Sequence, residues 1–375
     1  MQYLREISTQ WYPMHHTLFK TAGRAFGMLV GDPYRGFLVL DMLTSALALV
    51  GVWWLLRAIV PPRIATAGAF VLGVGPNFWG YGAIAGNYTA IVLVGSLLMG
   101  IAIRGYRRPA AWHPDIAALV LAIGAGYRSD IGLFWFPTFA VILWQHRWKR
   151  SIVAAALFLA INLVWFIPML DEAGGWHRYR EATSEFGRSA GALNSYWNLG
   201  FVDGPVRYAV KLGLALAGTL GPALIFVPRG LARLRSHPEG RFLVGLLAMG
   251  ILLALSTHLL IHFGVPGYCF HYLPALMVLI VLGIGRDPTF ASLPRNADHP
   301  STFDRAEVRL LGMATVLALF FWFYPATLSA PGWRGELDLA LGRLTRAGIA
   351  QSPSERQEKV WPTANSQRSD GLGIH

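Results

Sequence analysis

Few residues in this sequence can do chemistry, because only 14% of them are charged. Arg128 and Asp130 stand in the run Gly124-Ala125-Gly126-Tyr127-Arg128-Ser129-Asp130, between two short apolar segments. An ionisable pair at the end of a broken membrane segment is expensive to place, which marks it for function. A guanidinium there can hold a lipid phosphate through two parallel hydrogen bonds; its other use is an ion pair that closes the turn. His258 and His262 lie one helical turn apart, with His271 beyond the turn Gly264-Val265-Pro266-Gly267. Three imidazoles without a fixed carboxylate suit phosphate or sugar-hydroxyl contact, so no metal is expected. A third group lies in Asp171-Glu172-Ala173-Gly174-Gly175-Trp176-His177-Arg178-Tyr179-Arg180 and on to Pro205. Its carboxylates, arginines and aromatics are the types that stack on sugars and pair with phosphates. Asp41, one turn inside the first long apolar segment, is expected to snorkel to water. Asn87-Tyr88-Thr89 has the form of a glycosylation sequon but opens an apolar segment and is set aside.

The elements that position these residues follow from composition. The chain has 375 residues, of which 54% are hydrophobic and 13% aromatic. That is well above the apolar share of a soluble domain, and it excludes a disordered chain. One cysteine, Cys269, excludes a disulfide framework within the chain. Ten apolar segments are candidate spans: Phe37–Val60, Ile64–Phe78, Gly86–Ile103, Asp115–Tyr127, Gly132–Gln145, Ser151–Met169, Arg207–Val227, Phe242–Ile261, Cys269–Gly285 and Val308–Pro325. The class is therefore an all-α polytopic membrane protein. Asp115–Tyr127 and Gly132–Gln145 can also be read as two arms of one re-entrant or broken unit, and Pro61-Pro62, Gly75-Pro76 and Phe136-Pro137 mark breaks.

Charge sets the orientation. Sixteen of the 32 basic residues fall in alternate connections: Arg57 and Arg63; Arg104, Arg107 and Arg108; Arg147, Lys149 and Arg150; Arg229, Arg233, Arg235 and Arg241; Arg286, Arg295, Arg305 and Arg309. These connections are expected in the cytoplasm, with both termini outside. Basic residues parcelled out by span argue against nucleic-acid binding, despite a net charge of +12. Leu18, Phe19, Ala22, Phe26 and Leu29 recur at helical spacing within Met14–Val30, which predicts an amphipathic helix at the membrane surface. The expected organisation is an external segment over residues 1–36, a membrane domain over 37–328 with an external loop at 170–206, and a polar tail over 329–375. An external N-terminus with no apolar signal leads to the expectation of a missing first span, through a downstream start or a truncated relative.

Several segments together resemble GT-C type membrane glycosyltransferases, in the family 39-like branch that uses dolichyl- or polyprenyl-phosphate sugars. Trp11-Tyr12-Pro13-Met14-His15-His16-Thr17-Leu18-Phe19, then Gly23-Arg24-Ala25-Phe26 and Gly31-Asp32-Pro33-Tyr34-Arg35, resemble the stretch after the first external loop. Pro76-Asn77-Phe78-Trp79-Gly80-Tyr81-Gly82 resembles the family's turn of the form SP-x-F-W-x-Y-G. Gly126-Tyr127-Arg128-Ser129-Asp130 with Phe134 and Pro137, and Gly174-Gly175-Trp176-His177-Arg178-Tyr179, are similar to later landmarks. The likeness runs over roughly residues 11–285.

The resemblance implies sugar transfer from a polyprenyl-phosphate donor to an unidentified acceptor on the external face of the cell membrane, with no cofactor. A carboxylate would take the acceptor's proton while cations stabilise the departing lipid phosphate. Arg128 would contact phosphate, His15 and His16 would neighbour the site, and Trp176, Arg178 and Tyr179 would help to roof it; His258 and His262, read from residue type and spacing alone, are further expected substrate contacts. The family's catalytic aspartate precedes the His/Pro pattern, where this chain has only Glu6. Asp32, Asp130 and Asp171 are the other candidate bases. The second reading is a non-catalytic scaffold or lipid-carrier flippase component of envelope polysaccharide assembly. A secondary transporter would show internal repeats, and none stands out between the two halves.

Overall fold

The computed structural model describes residues 16–84, 86–194, 196–261, 263, 265–284 and 305–323. Glu6, His15, His262, the opening Trp11–Pro13 motif and the tail from residue 324 lie outside the described residues. Among the described residues every regular element is helical, and the chain has the polytopic all-α architecture expected of its composition.

The first helix, α1 (Thr17–Val30), turns at Gly31, whose φ of 73° lies in the left-handed region. Asp32 then caps α2 (Pro33–Leu56), its Oδ1 accepting the Arg35 amide at 2.8 Å, with Pro33 preset for the first helical position. The two helices cross where Gly27 meets Gly36, and a β-carbon on Gly36 would overlap the Gly27 backbone. The face of α1 that packs on the protein carries Phe19, Lys20, Gly23 and Gly27. Of the expected stripe, Phe19 is buried with Ala22 and Phe26 packed beside it, and Leu29 is 81% exposed.

Ile64–Phe78 is not one continuous helix. Proline starts α3 (Pro62–Gly73), the chain breaks at Gly75, and Pro76 starts the short α4 (Pro76–Gly82). Twelve residues of α3 rise only about 18 Å. There follow α5 (Thr89–Arg107), α6 (His113–Tyr127), α7 (Ser129–Trp144) and α8 (Trp148–Glu172). The stretch read as an external loop is largely helical, with α9 (Trp176–Asn194) and α10 (Tyr196–Phe201). Its carboxylates and arginines from Asp171 to Arg188 therefore sit on helices α8 and α9 instead of in a coil. Then come α11 (Arg207–Leu220), α12 (Val227–Ser236), α13 (Gly240–Leu260), α14 (Leu273–Ile284) and α15 (Arg305–Phe323). Among the described residues α2, α5, α8, α13 and the interrupted run Asn198–Ser236 are long and apolar enough to cross a membrane.

The helices α6 and α7 form an antiparallel hairpin. Arg128 alone separates them, in extended conformation (φ −151°, ψ 122°). At their other ends His146 Nε2 lies 3.1 Å from the Ala110 carbonyl, and Arg150 lies 3.7 Å from Asp115. The basic connections meet at this same end. Arg107 donates to the Ala58 carbonyl and holds Glu239 with two nitrogens, the shorter bonds being 2.7 Å. Arg233 Nη1 donates to the Leu282 carbonyl at 2.7 Å. The tip of the hairpin, with Arg128, lies at the opposite end. Between the two ends Trp135 is fully buried, and a β-carbon on Gly95 would overlap its ring.

Candidate functional site

At the hairpin tip, Arg128 is 3% exposed. Its Nε donates to Asp130 Oδ1 at 3.0 Å and its Nη2 to Asp130 Oδ2 at 2.8 Å. Its Nη1 donates to Asn87 Oδ1 at 2.7 Å. The guanidinium carbon lies 4.2 Å from the Tyr88 ring centre and 5.6 Å from that of Tyr268. A cation held between aromatic faces and out of water gains about 2 kcal/mol from their quadrupoles. Three otherwise separate segments are thereby tied together: the start of α5, the α6–α7 tip, and the turn at Pro266–His271.

His271 is fully buried and its Nε2 stands 3.4 Å from Asp130 Oδ2. An ionised carboxylate only accepts, so the proton of this long contact sits on Nε2. The other ring nitrogen, Nδ1, is buried with no hydrogen-bond partner, and so is Asn87 Nδ2. His258 is adjacent, with its Nδ1 2.7 Å from the Tyr272 hydroxyl and its ring centre 5.7 Å from that of His271. Phe134 meets both histidines edge-on, at 5.6 and 4.7 Å between ring centres.

The segment 86–89 is the part that sequence reasoning missed. Asp41 does not reach water: it is fully buried, and its Oδ2 accepts the Gly86 amide at 2.9 Å while Oδ1 lies 3.4 Å from the Thr89 hydroxyl. Helix α2 thus anchors the turn that carries Asn87. Asn87 has φ 52°, a left-handed conformation that asparagine tolerates better than most residues. The available signal was a lone amide at the head of an apolar run, where an unpaired polar group is costly. Beneath it, the motif on α4 supplies a shelf of rings: Tyr81 lies 5.0 Å from Tyr88 and 5.5 Å from Phe270. A β-carbon on Gly267 would sit 2.5 Å from the Tyr88 ring, so the turn requires glycine there.

The remaining candidates sit elsewhere. Asp32 is the cap of α2. Asp171 is exposed at the end of α8. Trp176, 60% exposed, and Tyr179 lie 5.8 Å apart with tilted rings at the start of α9, where Tyr179 packs on Phe166 at 5.6 Å and burial pushes its hydroxyl above the ordinary value. Arg178 is exposed beside Gly174, and His16 precedes α1. Trp165, the neighbour of Phe166, approaches Gly126 next to the tip.

No protein-family model and no curated protein matches the sequence. Among solved structures the chain is similar to ArnT from Cupriavidus metallidurans in the apo state, with a TM-score of 0.54 at 14% identity. The match covers 90% of this chain and 63% of that one, so the chain spans less than two thirds of the length of ArnT. The likeness is one of fold: the chain shares the helical architecture of ArnT.

Proposed function

We propose that the chain transfers a sugar from a polyprenyl-phosphate donor to an acceptor hydroxyl at the Arg128 end of the bundle. The observation that carries this reading is the group formed by Arg128, Asp130 and His271, with two buried polar atoms beside it, His271 Nδ1 and Asn87 Nδ2, left without partners. Buried polar atoms are nearly always paired, so two unpaired ones beside one ion pair call for an explanation, and a bound ligand supplies one. Asp130 orients the imidazole through Nε2, which leaves the Nδ1 lone pair to accept the proton of the acceptor hydroxyl. The oxygen so freed attacks the anomeric carbon as the bond to the lipid phosphate breaks. Asn87 Nδ2 and the N–H groups of Arg128 not committed to Asp130 and Asn87 stabilise the charge left on the phosphate.

The basic end then faces the cytoplasm and the Arg128 end the outside of the cell membrane, the arrangement that the positive-inside bias favours. The test is a transfer assay on purified full-length chain with radiolabelled polyprenyl-phosphate sugars and a panel of envelope acceptors. His271→Gln, which cannot take a proton, is expected to lower kcat by about 10²–10⁴ with donor binding retained. Full activity in that variant would remove His271 from the chemistry. The alternative, a non-catalytic component of envelope polysaccharide assembly, is favoured by one observation: Asp41, Arg128 and Asp130 all bond within the protein. It predicts donor binding without turnover in either protein.

A further inference from the structure

At the basic end, remote from the Arg128 cluster, a cavity of about 360 Å³ opens between the first turns of α3 and α15. It is lined by Arg63, Thr66, Ala67, Phe70, Glu307 and Leu311. Arg63 and Glu307 lie near the N-terminal ends of their helices, and the apolar residues lie deeper: Phe70 seven residues along α3 and Leu311 four along α15, rises of about 10 and 6 Å. Phe70 is exposed on the bundle surface. Thr66 is already engaged, donating to the Pro62 carbonyl and accepting from Trp53 Nε1, so it offers little to a ligand. Glu307 Oε2, in contrast, is shut off from solvent with no hydrogen-bond partner. A carboxylate oxygen in that state is costly unless a cation completes it.

We propose that this cavity binds a phospholipid of the phosphatidylethanolamine type, with the phosphate on Arg63, the primary ammonium on Glu307 and an acyl chain along Ala67, Phe70 and Leu311. The charges decide the class. A guanidinium takes a phosphate diester, the carboxylate beside it repels a second anion, and its orphaned oxygen calls for an N–H donor. A quaternary ammonium has none to give. Polar groups at the helix ends and apolar ones one to two turns inward reproduce the headgroup-to-chain order of a lipid standing in a leaflet. Free phosphoethanolamine would satisfy the same charges without the apolar strip.

The experiment is native mass spectrometry of the full-length chain released from mixed micelles holding equal amounts of dioleoyl phosphatidylethanolamine, dioleoyl phosphatidylcholine and dioleoyl phosphatidylglycerol. The wild type is expected to retain the ethanolamine lipid at least fivefold over the other two. Glu307→Gln is expected to abolish that preference, and Arg63→Ala to weaken retention of every phospholipid. Equal retention of ethanolamine and choline lipids by the wild type overturns the proposal, as does an unchanged preference in Glu307→Gln. A preference for the glycerol lipid overturns it in favour of a simple anion site. Competition by free phosphoethanolamine at millimolar concentration overturns the acyl-chain contact. The wild-type comparison decides the matter even if a variant fails to fold.

Discussion

Arg128 commits three of its five N–H groups to Asp130 and Asn87, so its first role is to hold a buried network together. Removing it strands Asp130. Arg128→Ala is therefore expected to destabilise the protein by about 3–5 kcal/mol, read as thermal unfolding in detergent. The pair acts as a unit, so Arg128→Ala with Asp130→Ala should cost less than the sum of the two single changes; strict additivity would show that the ion pair contributes nothing. Asn87 offers a second separation of effects. Asn87→Gly and Asn87→Ala both lose the bond to Arg128, but only alanine must also strain at φ 52°. The alanine variant is expected to be less stable than the glycine variant by about 1 kcal/mol, and equal stability would show that the turn relaxes. At this scale the sequence exposed the ion pair, since two charges in an apolar setting are conspicuous. It hid Asp41 and Asn87, whose partners lie 45 and 41 residues away and depend on how α2, α5 and the hairpin tip come together.

Elements were legible at Pro-Pro and Gly-Pro, but not at Phe136-Pro137, where the expected break is absent and Pro137 lies inside the continuous α7. Pro61-Pro62 and Gly75-Pro76 end and restart helices in the structure as their chemistry requires, and the short α6 and α7 form a two-armed unit. The packed face of α1 was legible only in part: Phe19, Ala22 and Phe26 of the apolar stripe pack on the protein, but periodicity does not single out Lys20, Gly23 and Gly27 beside them. Gly36→Leu tests the crossing: the side chain has no room over Gly27, so α1 should detach, with faster proteolysis at residues 17–30 and unchanged cleavage elsewhere. At the basic end, His237 Nδ1 accepts the Glu239 amide at 3.1 Å, and burial pushes the imidazole below its ordinary value of 6.5. A depressed folded-state value means the neutral ring favours folding. That contribution is present above pH 6.5 and is lost as pH falls through the lower folded value. Thermal stability is thus expected to drop between pH 7 and pH 5 by less in His237→Gln than in the wild type. Parallel pH profiles would contradict it.

For the whole molecule, the alternation of basic and neutral connections corresponds to a physical division of the bundle, with the basic turns hydrogen-bonded to one another and the Arg128 cluster at the far end. Cys269 is fully buried, so a single introduced cysteine can report sidedness without background. A membrane-impermeant maleimide added to intact cells is expected to label Arg178→Cys and to spare Arg108→Cys; the reverse pattern would invert the topology. The central claim, that the Arg128 end receives a lipid-linked phosphate, is tested most directly by photolabelling the full-length chain with a polyprenyl-phosphate probe that carries the photoreactive group beside the phosphate. The expected result is labelled peptides from residues 86–89, 127–130 and 265–271, lost on competition with unlabelled polyprenyl phosphate but not with polyprenol. Labelling confined to the basic end, or equal competition by polyprenol, would contradict it.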